Sequence, residues 1–408
     1  MNNDAKIIIE EALKSAMPGE AVRKALDGID FGSGKLVIVA AGKAAWEMGK
    51  AAAEKLDGRF DSGIIITKYG HAKGEVKGLE IREAGHPVPD ANSYGATSRA
   101  LMLTDGLSPE DSVLFLLSGG GSALFENPLV SEEEMASVTG QLLASGAAIT
   151  EMNTIRKRLS AVKGGKFAEH CAPAHVYTVV LSDIIGDPLD MIASGPAYPD
   201  PTTSEEAAAI AKRYGLALSE EAWALLKKET PKKLSNVTTF VNGSVKELCR
   251  RASEVCASLG YEPVFLTDSL SCEARDAGSF LGSIARDHQD TEKSLAFIAG
   301  GETVVHLTGK GLGGRNQEIA LQAAAEIRDC KDTCVFSVGS DGTDGPTDAA
   351  GGIADETTFG KLSAKGIDIR KVQADNDAYH ALKAVDALIV TGPTGTNVND
   401  LTVALIRR

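Results

Sequence analysis

Cationic and acidic side chains alternate with glycines in one part of the chain, and these residue types suit phosphate and metal chemistry. The segment 300–318 is rich in glycine and contains Arg315, and Asp341, Asp344 and Asp348 follow it. Glycine lets backbone N–H groups approach a ligand closely, cations neutralise phosphate, and spaced carboxylates hold a hard metal ion. The composition therefore predicts a site for a metal-bound nucleotide.

Two further clusters follow apolar runs of strand length. Lys43 comes soon after the run 36–40, at the start of a predicted helix that extends to about Leu56. A lysine beside the positive end of a helix dipole becomes favourable when both face a bound anion. A solvated lysine in a strand-to-helix loop is the alternative.

The second cluster is a loop of serines and glycines after the run 113–117. Successive glycines can form a backbone nest for phosphate or carboxylate, and a flexible turn is the alternative. We assign this loop to substrate or phosphate binding: Ser118, Gly119, Gly120, Gly121 and Ser122.

Carboxylates follow a third apolar run, 176–181. Asp183 can orient a substrate hydroxyl or receive its proton, and we assign Asp187 to substrate binding. Aspartate is also common in turns and at helix N-caps, which is the alternative. The segment His86–Asp90 is ambiguous in the same way, because proline-rich turns often have only a geometric role.

Arg315 repeats the argument made for Lys43, because it follows a glycine loop and opens a predicted helix that continues to Ile327. Its planar guanidinium suits bidentate contact with phosphate oxygens. We assign the neighbouring polar residues Glu302 and Asn316 to substrate or phosphate binding. Replacing Lys43 or Arg315 is expected to reduce turnover and to leave thermal unfolding nearly unchanged.

The three aspartates are the predicted metal ligands. Their spacing does not match a calcium-binding EF-hand loop, so Mg²⁺ held jointly with a nucleotide is the metal chemistry that stays open. The alternative is that these aspartates cap a helix and bind no metal. The basic run 156–158, with Lys163 and Lys166 beyond it, is expected to be mostly solvated charge, with one of the three residues in the run functional.

Composition limits the class of protein. The 408 residues are 43% hydrophobic and 24% charged, which predicts an ordinary globular chain long enough for two domains. The net charge of −14 argues against binding to nucleic acid or to an anionic membrane. No long apolar run or signal-peptide pattern is present, so a cytoplasmic location is expected. The six cysteines show no metal or redox spacing and are expected to be buried thiols; the oligomeric state is left open.

Apolar strands alternate with helical periodicity along the whole chain, which predicts an α/β fold with mostly parallel strands in its first part. The polar segment at about 227–236 is the predicted linker, so domains are expected at 1–230 and 237–408. The second series is expected to start with a strand at 238–241 and to include a strand at 303–307. The end of the chain, 397–406, alternates enough for a strand, with a helix as the alternative.

Generic motifs do not select one reaction. The chain has no Walker A motif and no protein-kinase signature. It contains Gly309-x-Gly311-x-x-Gly314, which formally matches a dinucleotide fingerprint. A dehydrogenase is therefore one alternative, and a non-catalytic sensor of sugar acids is another.

Taken together, seven short motifs in this order resemble those of the class II glycerate 2-kinases. The motifs span nearly the whole chain: 40–44, 117–123, 181–187, 300–303, 313–318, 339–348 and 392–400. That family pairs an N-terminal Rossmann-like domain, a three-layer fold with a mostly parallel sheet, with a C-terminal MOFRL α/β domain that has a mixed sheet.

The resemblance implies ATP-dependent phosphorylation of D-glycerate to 2-phosphoglycerate with Mg²⁺, in a cleft between the two domains. Lys43 and Arg315 match the catalytic lysine and arginine of the family. Members of that family also carry the name hydroxypyruvate reductase, so an NAD(P)H-dependent reductase is the alternative activity.

Overall fold

The computed structural model describes residues 3–182, 184–186 and 188–408. The chain forms two compact units. The first unit comprises Ala21–Leu181 and Asp187–Asn242, and the second comprises Met1–Glu20, Ser182–Gly186 and Gly243–Arg408. Each unit has one sheet with helices on both faces.

The strands, in chain order, are β1 Leu36–Ala41, β2 Ser62–Lys68, β3 Glu80–Ala84, β4 Ser112–Leu117, β5 His175–Leu181, β6 Val237–Gly243, β7 Glu262–Leu270, β8 Leu295–Gly301, β9 Thr333–Gly339, β10 Gly351–Asp355, β11 Leu388–Ile389 and β12 Asp400–Ile406. The helices are α1 Asn3–Ser15, α2 Pro18–Leu26, α3 Ala45–Leu56, α4 Ala91–Leu103, α5 Gly121–Leu124, α6 Glu132–Ala144, α7 Ile149–Leu159, α8 Lys166–Cys171, α9 Ser204–Arg213, α10 Glu220–Leu226, α11 Val245–Ser258, α12 Ala274–Asp287, α13 Arg315–Glu326, α14 Thr358–Ala364, α15 Ile369–Ala374 and α16 Ala378–Lys383.

The first sheet has the strand order β3-β2-β1-β4-β5-β6, and the pairs from β3 to β5 are parallel. Every residue of β1 and β4 is buried. Successive side chains point to opposite faces, so Val37 and Val39 enter one hydrophobic core and Ile38 and Ala40 enter the other. Continuous apolar strands therefore hold a three-layer unit together, as the sequence predicts.

The second sheet is mixed, in the order β11-β10-β9-β12-β8-β7. Strand β12 lies between β8 and β9 and is antiparallel to both, whereas β7 and β8 are parallel. All seven residues of β12 are buried, so the end of the chain is a central strand. The predicted fold class, two α/β domains with a mostly parallel sheet and a mixed sheet, is confirmed.

The packing divides the chain differently from the predicted domain boundary at 237. Strand β6 is the edge strand beside β5 in the first sheet and does not begin the second unit. The segment 227–236 is a loop within the first unit, where the Thr230 hydroxyl donates to Asp200 at 2.8 Å. A polar loop can thus resemble a linker when its polar groups are bound by its own unit.

Helix α1 packs within the second unit. Its buried stripe is Ala5, Ile8, Ile9, Ala12 and Leu13, at the i, i+3, i+4 spacing of one helix face. This stripe joins the hydrophobic core that contains the buried face of α11. Helix α1 is therefore part of the core beneath the second sheet, although it comes first in the chain.

Two strands were not predicted, and one predicted strand is absent. Strand β3 contains Glu80 and Arg82 and lies at the sheet edge, while β10 begins with two glycines. At Gly351 a Cβ atom would lie 2.0 Å from the Ser337 carbonyl oxygen, so glycine is required there. The segment 303–307 has only an isolated bridge at Val304, because the chain turns away from the sheet after β8.

No helix in the described part of the chain has the length and apolar character needed to span a membrane.

Candidate active site

Polar residues lie at the same end of four neighbouring strands of the first sheet. His86 follows β3, Lys68 ends β2, Lys43 follows β1, and the loop 118–122 follows β4. Because the strands are parallel, these residues lie at their carboxyl ends. The strand order reverses between β1 and β4, which is where open α/β sheets form a ligand crevice.

The backbone of Lys43 is fixed against the loop after β4. Its N–H donates to the Gly119 carbonyl at 2.9 Å, and the N–H of Ala44 donates to Ser118 Oγ at 3.1 Å. Gly42 has a φ of +127°, and a Cβ there would lie 2.2 Å from Ser118 Oγ. The predicted lysine and the predicted glycine loop are thus brought together.

The Lys43 side chain is exposed, and no carboxylate of a described residue lies within ion-pair distance of it. Gly120 has a φ of +85°, and the N–H groups of Gly119 and Gly120 donate to no described residue. Positive charge and free backbone donors therefore coincide at the β1–β4 crevice, which suits an anion.

The other residues of the loop have structural contacts. Ser118 is buried and its hydroxyl accepts the Ala44 N–H, while Ser122 Oγ lies 3.2 Å from Ser194 Oγ. A Cβ on Gly121 would lie 2.7 Å from Ala193 Cβ. These contacts hold both ends of the loop, while the N–H groups of Gly119 and Gly120 between them donate to no described residue.

The second unit contains a cavity of about 840 Å³ that the glycine-rich segment lines. Its apolar lining includes Val304, Leu307 and Pro346, and its polar lining includes Glu302 and Asp341. A cavity of this size with an apolar wall and a few polar groups is typical of a small-molecule site.

Arg315 opens α13 at this cavity, but it is already paired. Its Nε donates to Asp400 Oδ2 at 2.5 Å, its Nη2 donates to Asp400 Oδ1 at 3.1 Å, and its Nη1 donates to Glu302 Oε1 at 2.8 Å. Burial alone would lower the pKa of Arg315, but the hydrogen bonds and charge of Asp400 and the charge of Glu302 hold it above its usual value. The guanidinium is thereby oriented, with its charge balanced by carboxylates.

Asp400 is a site residue that the sequence reasoning missed. It is 4% exposed at the start of β12, and burial raises its pKa although Arg315 acts to lower it. The available signal was a carboxylate at the beginning of an otherwise apolar strand. Such a residue requires a cationic partner when the strand is central.

Asp344 caps helix α13. Its carboxylate accepts the N–H of Asn316 at 3.1 Å and that of Gln317 at 2.8 Å. Burial raises its pKa to about 7, against these hydrogen bonds. Asn316 is also buried, and its Oδ1 accepts the Ser337 hydroxyl at 2.5 Å. Both side chains stabilise the start of α13, which is the alternative role named for the aspartates.

The other two predicted metal ligands also have separate partners. Asp341 Oδ1 accepts the Thr343 N–H at 2.9 Å, and Asp348 Oδ1 accepts the Tyr379 hydroxyl at 2.7 Å. Across the residues that the structure describes, no group of three or more histidine, cysteine or acidic side chains could hold a metal. A preassembled three-aspartate site is therefore not formed.

A jointly held ion is a different case, because Mg²⁺ bound with a nucleotide needs only one or two carboxylates. Asp341 and Glu302 both line the cavity, with Glu302 47% exposed at its side chain. Both therefore present the carboxylate chemistry that such an ion prefers to the same cavity, and the role of Asp341, Asp344 and Asp348 as metal ligands stays a prediction. Asp183 and Asp187 lie outside the described residues.

The basic run of α7 is buried, contrary to the expectation of solvated charge. Lys157 and Arg158 are each 1% exposed and both contact Asp200, at 3.2 Å and 3.4 Å. Lys163 is fully buried beside Glu126 at 3.2 Å, and burial lowers its pKa to about 8. The run therefore forms internal ion pairs of the first unit.

The formal dinucleotide fingerprint has a packing role. A Cβ on Gly309 would lie 2.3 Å from Asp375 Cα, and one on Gly311 would lie 2.4 Å from Asp377 Cβ. No strand leads directly into this segment, since β8 ends at Gly301. The glycines allow close approach to a neighbouring loop, and the strand-loop-helix context of a dinucleotide site is missing.

The chain thus combines two three-layer α/β units with lysines and available backbone N–H groups at the strand ends of the first, the features of a class of protein that binds anionic small molecules. Residues 4–227 match the family described as Domain of unknown function (DUF4147), and residues 295–400 match the MOFRL family.

Full-length relatives agree with these matches. The D-glycerate 2-kinase of Thermotoga maritima is 49% identical over 405 residues, covering 98% of this chain and 97% of that protein. The glycerate 2-kinase of Pyrococcus horikoshii is 41% identical over 430 residues, covering 98% of this chain and 96% of that protein. The crystal structure of glycerate kinase from Thermotoga maritima matches 99% of this chain and 98% of its own, at 49% identity and a TM-score of 0.93. The chain belongs to the glycerate kinase family with a C-terminal MOFRL domain.

Proposed function

We propose that the protein is a glycerate 2-kinase that transfers the terminal phosphoryl group of ATP to the 2-hydroxyl of D-glycerate. The observation that carries this proposal is an exposed Lys43 that no described carboxylate pairs, beside N–H groups of Gly119 and Gly120 that donate to no described residue, in a chain of this family. These groups can bind oxygens that carry negative charge during the reaction.

The chemistry favours this arrangement. Phosphoryl transfer passes through a loose transition state with charge on its equatorial oxygens, so the protein must align the reactants and stabilise charge. Lys43 supplies a positive charge whose backbone is fixed by the Gly119 carbonyl. Preorganised donors of this kind stabilise developing charge without reorganising during the reaction.

The cavity of the second unit is the proposed nucleotide site. Val304, Leu307 and Pro346 offer an apolar wall to a base, and Arg315 is oriented by Asp400 toward the same cavity. Glu302 and Asp341 would hold Mg²⁺ together with the nucleotide. When bound, the ion would neutralise phosphate charge, a task that Arg315 shares.

Asp183 is the proposed group that orients the glycerate hydroxyl or accepts its proton. Asp187 remains the second acidic residue proposed for substrate binding. A strong base is not required in a loose transition state, so replacing Asp183 should reduce the rate less than replacing Lys43.

The alternative activity, reduction of hydroxypyruvate by NADH or NADPH, has less support. Its sequence basis was the glycine fingerprint, and Gly309 and Gly311 pack on residues 375–377 without a strand before them. The first sheet does have the strand order found in dinucleotide-binding folds. The test must therefore include both reactions.

The test is a pair of assays with purified protein. D-Glycerate, ATP and Mg²⁺ are coupled to enolase and pyruvate kinase, and hydroxypyruvate is offered separately with NADH or NADPH. We expect signal from the first assay without phosphoglycerate mutase, because the product is 2-phosphoglycerate. Signal only after mutase addition would identify the 3-phosphate, and consumption of reduced nicotinamide alone would identify the reductase. Binding of both substrates without turnover would favour the sensor.

A further inference from the structure

Lys68 and His86 stand beside the candidate site, and the roles assigned above leave both unused. Lys68 is the last residue of β2, and His86 comes two residues after β3. Both side chains are half-buried. Their strands neighbour β1, so they extend the edge at which Lys43 lies.

His86 and Lys43 meet at one point of the glycine loop. A Cβ placed on Gly120 would lie 3.1 Å from His86 Nε2 and 3.1 Å from Lys43 Cγ. Glycine at position 120 therefore leaves the space that these two side chains share. The His86 ring makes no hydrogen bond to any described residue, although it is half-buried.

Among the residues that the structure describes, the positive charges at this edge have no negative partners. Burial lowers the pKa of His86, and the positive charges of Lys43 and Lys68 and the neighbouring His71 lower it further. Neither lysine has a carboxylate partner among the described residues. In a chain with a net charge of −14, cations collected without counter-charges indicate a place for an external anion.

His71 is explained differently. Its Nδ1 lies 3.1 Å from the Lys43 carbonyl oxygen, a bond that holds the loop after β1. It is therefore a positioning residue, whereas no described residue accepts a hydrogen bond from the Lys68 ammonium or the His86 ring.

We propose that Lys68 and His86, together with Lys43, bind an oxyanion of the reactants at the carboxyl edge of β1, β2 and β3. This inference rests on the proposed kinase activity for the identity of the reactants. The oxyanion is either the carboxylate of the sugar acid or a phosphoryl group of the nucleotide, and both present the same oxygen chemistry to an ammonium group and an imidazole.

The test uses Lys68→Met and His86→Gln in the full-length protein, with Lys77→Met as the matched lysine control. Lys77 is exposed in the same part of the chain and has no ion pair with a described residue. His175→Gln is the histidine control, because His175 lies at the amino end of β5, whereas the candidate site lies at the carboxyl ends of the strands. Lys68→Arg keeps the charge and should retain most of the function lost in Lys68→Met.

Steady-state kinetics separate the two sources of the oxyanion. We expect Lys68→Met and His86→Gln each to raise one KM by roughly tenfold, as for a lost charge-assisted contact, while both controls stay within about twofold. A raised KM for D-glycerate identifies the carboxylate, and a raised KM for ATP identifies the phosphoryl group. Unchanged KM and kcat values in both variants would overturn the proposal.

A second measurement does not depend on turnover. Inorganic phosphate should raise the thermal unfolding temperature of the wild-type protein, and this shift should shrink in Lys68→Met and His86→Gln but not in the controls. If the wild type shows no kinase activity but the phosphate-dependent shift behaves as expected, the anion site stands and the proposed function fails. An equal shift in all variants would reject the anion site itself.

Discussion

At the scale of single residues, Lys43 and Arg315 have different surroundings. Both were predicted from the same pattern, a cation at the start of a helix after glycines. Lys43 has no carboxylate partner in the described structure, whereas Arg315 is held by Asp400 and Glu302. Their replacement should therefore affect stability differently.

We expect Lys43→Ala to lower kcat by roughly 10²-fold or more, on the order of 3 kcal/mol of transition-state stabilisation. Thermal unfolding should change little, because the side chain is exposed. The measurement is steady-state kinetics beside a melting curve, with Lys77→Ala as control. Lys232, another lysine of the first unit, would be a poor control, because its Nζ donates to the Asp200 carbonyl at 3.1 Å and its loss would affect stability. Near-normal turnover in Lys43→Ala would remove this residue from the mechanism.

Replacing Arg315 should cost both activity and stability, which corrects the expectation of unchanged unfolding. Arg315→Met leaves Asp400 buried without its partner, and breaking such a pair destabilises by about 3 kcal/mol. The double variant Arg315→Met with Asp400→Asn should regain most of the stability and none of the activity. Urea unfolding and kcat, measured on both proteins, check this. Equal stability of the single and double variants would contradict the role given to Asp400.

The raised pKa of Asp344 predicts that the stability of the protein depends on pH. Its pKa is raised from 3.8 to about 7 in the folded protein, so between these pH values the folded state holds a proton that the unfolded state has lost. This group's contribution to the free energy of unfolding therefore falls as pH rises from about 4 to 7 and is constant above that range.

The check is urea unfolding of wild type and Asp344→Asn from pH 5 to pH 8. The variant has no carboxylate to ionise, so its stability relative to wild type should increase as pH rises to about 7. The difference in unfolding free energy between variant and wild type should change by at most about 1.4 kcal/mol per pH unit. A difference between the two proteins that stays constant across the range would refute the shifted ionisation.

At the scale of elements, α7 shows how a helix can carry buried charge. Lys157 and Arg158 lie side by side on α7, and Asp200 receives both together with the Thr230 hydroxyl. Burial acts to raise the pKa of Asp200, but Lys157 and the hydrogen bonds keep it below its usual value. Ion pairs between side chains thus fix α7 to the loop after β5.

Asp200→Ala should lower the free energy of unfolding by about 3–5 kcal/mol, because it leaves two buried cations without their main partner. Asp27→Ala is the matched control. Asp27 pairs with Lys55 at 2.6 Å, but the two side chains are 66% and 42% exposed, so the expected loss is below about 1 kcal/mol. Chemical denaturation of both variants measures the contrast. Similar losses would mean that the internal pairs contribute little.

The strands show which elements the sequence can predict and which it cannot. Strands β1, β4 and β5 were predicted because each is a continuous apolar run, and burial on both faces of a sheet requires one. Strand β10 was missed because Gly351 and Gly352 are set by close packing against neighbours, which periodicity does not report. The match of Gly309, Gly311 and Gly314 to a dinucleotide fingerprint has a similar origin, because close packing on residues 375–377 also sets the first two of these glycines.

The site shows the same limit. Lys43 and the loop 118–122 follow strands that the sequence predicts, and the carboxyl ends of parallel strands lie at the same edge of a sheet. His86 and Lys68 come from strands beside β1, and only the sheet order brings them to that edge. The pairing of Arg315 with Asp400 joins residues far apart in sequence, and the local signal at Asp400, a carboxylate that opens an apolar strand, does not indicate which cation is its partner.

At the scale of the whole molecule, the chain path crosses between units more than the motifs suggest. Helix α1 belongs to the core of the second unit, and β6 belongs to the first sheet. Stability of the second unit therefore depends on residues at the beginning of the chain.

Ile8→Ala tests this dependence. Ile8 is fully buried against the core that contains α11, so its truncation should cost about 2–5 kcal/mol. Hydrogen exchange should show faster exchange in β8, β9 and β12, with β1 and β4 unchanged. Ile149→Ala, at a position 59% exposed, is the control. Faster exchange confined to the first sheet would show that α1 stabilises the other unit instead.

The position of α1 has a consequence for synthesis in the cell. The ribosome makes α1 well before α11, so its stripe of Ile8, Ile9 and Leu13 is translated while its native partner does not yet exist. The first unit can complete its own sheet once β6 has emerged, but the second cannot close until β12, near the end of the chain, joins β8 and β9. A nascent chain therefore carries an apolar helix face without its native partner until α11 and the second sheet have been made, and exposed apolar surface at that stage is prone to aggregation.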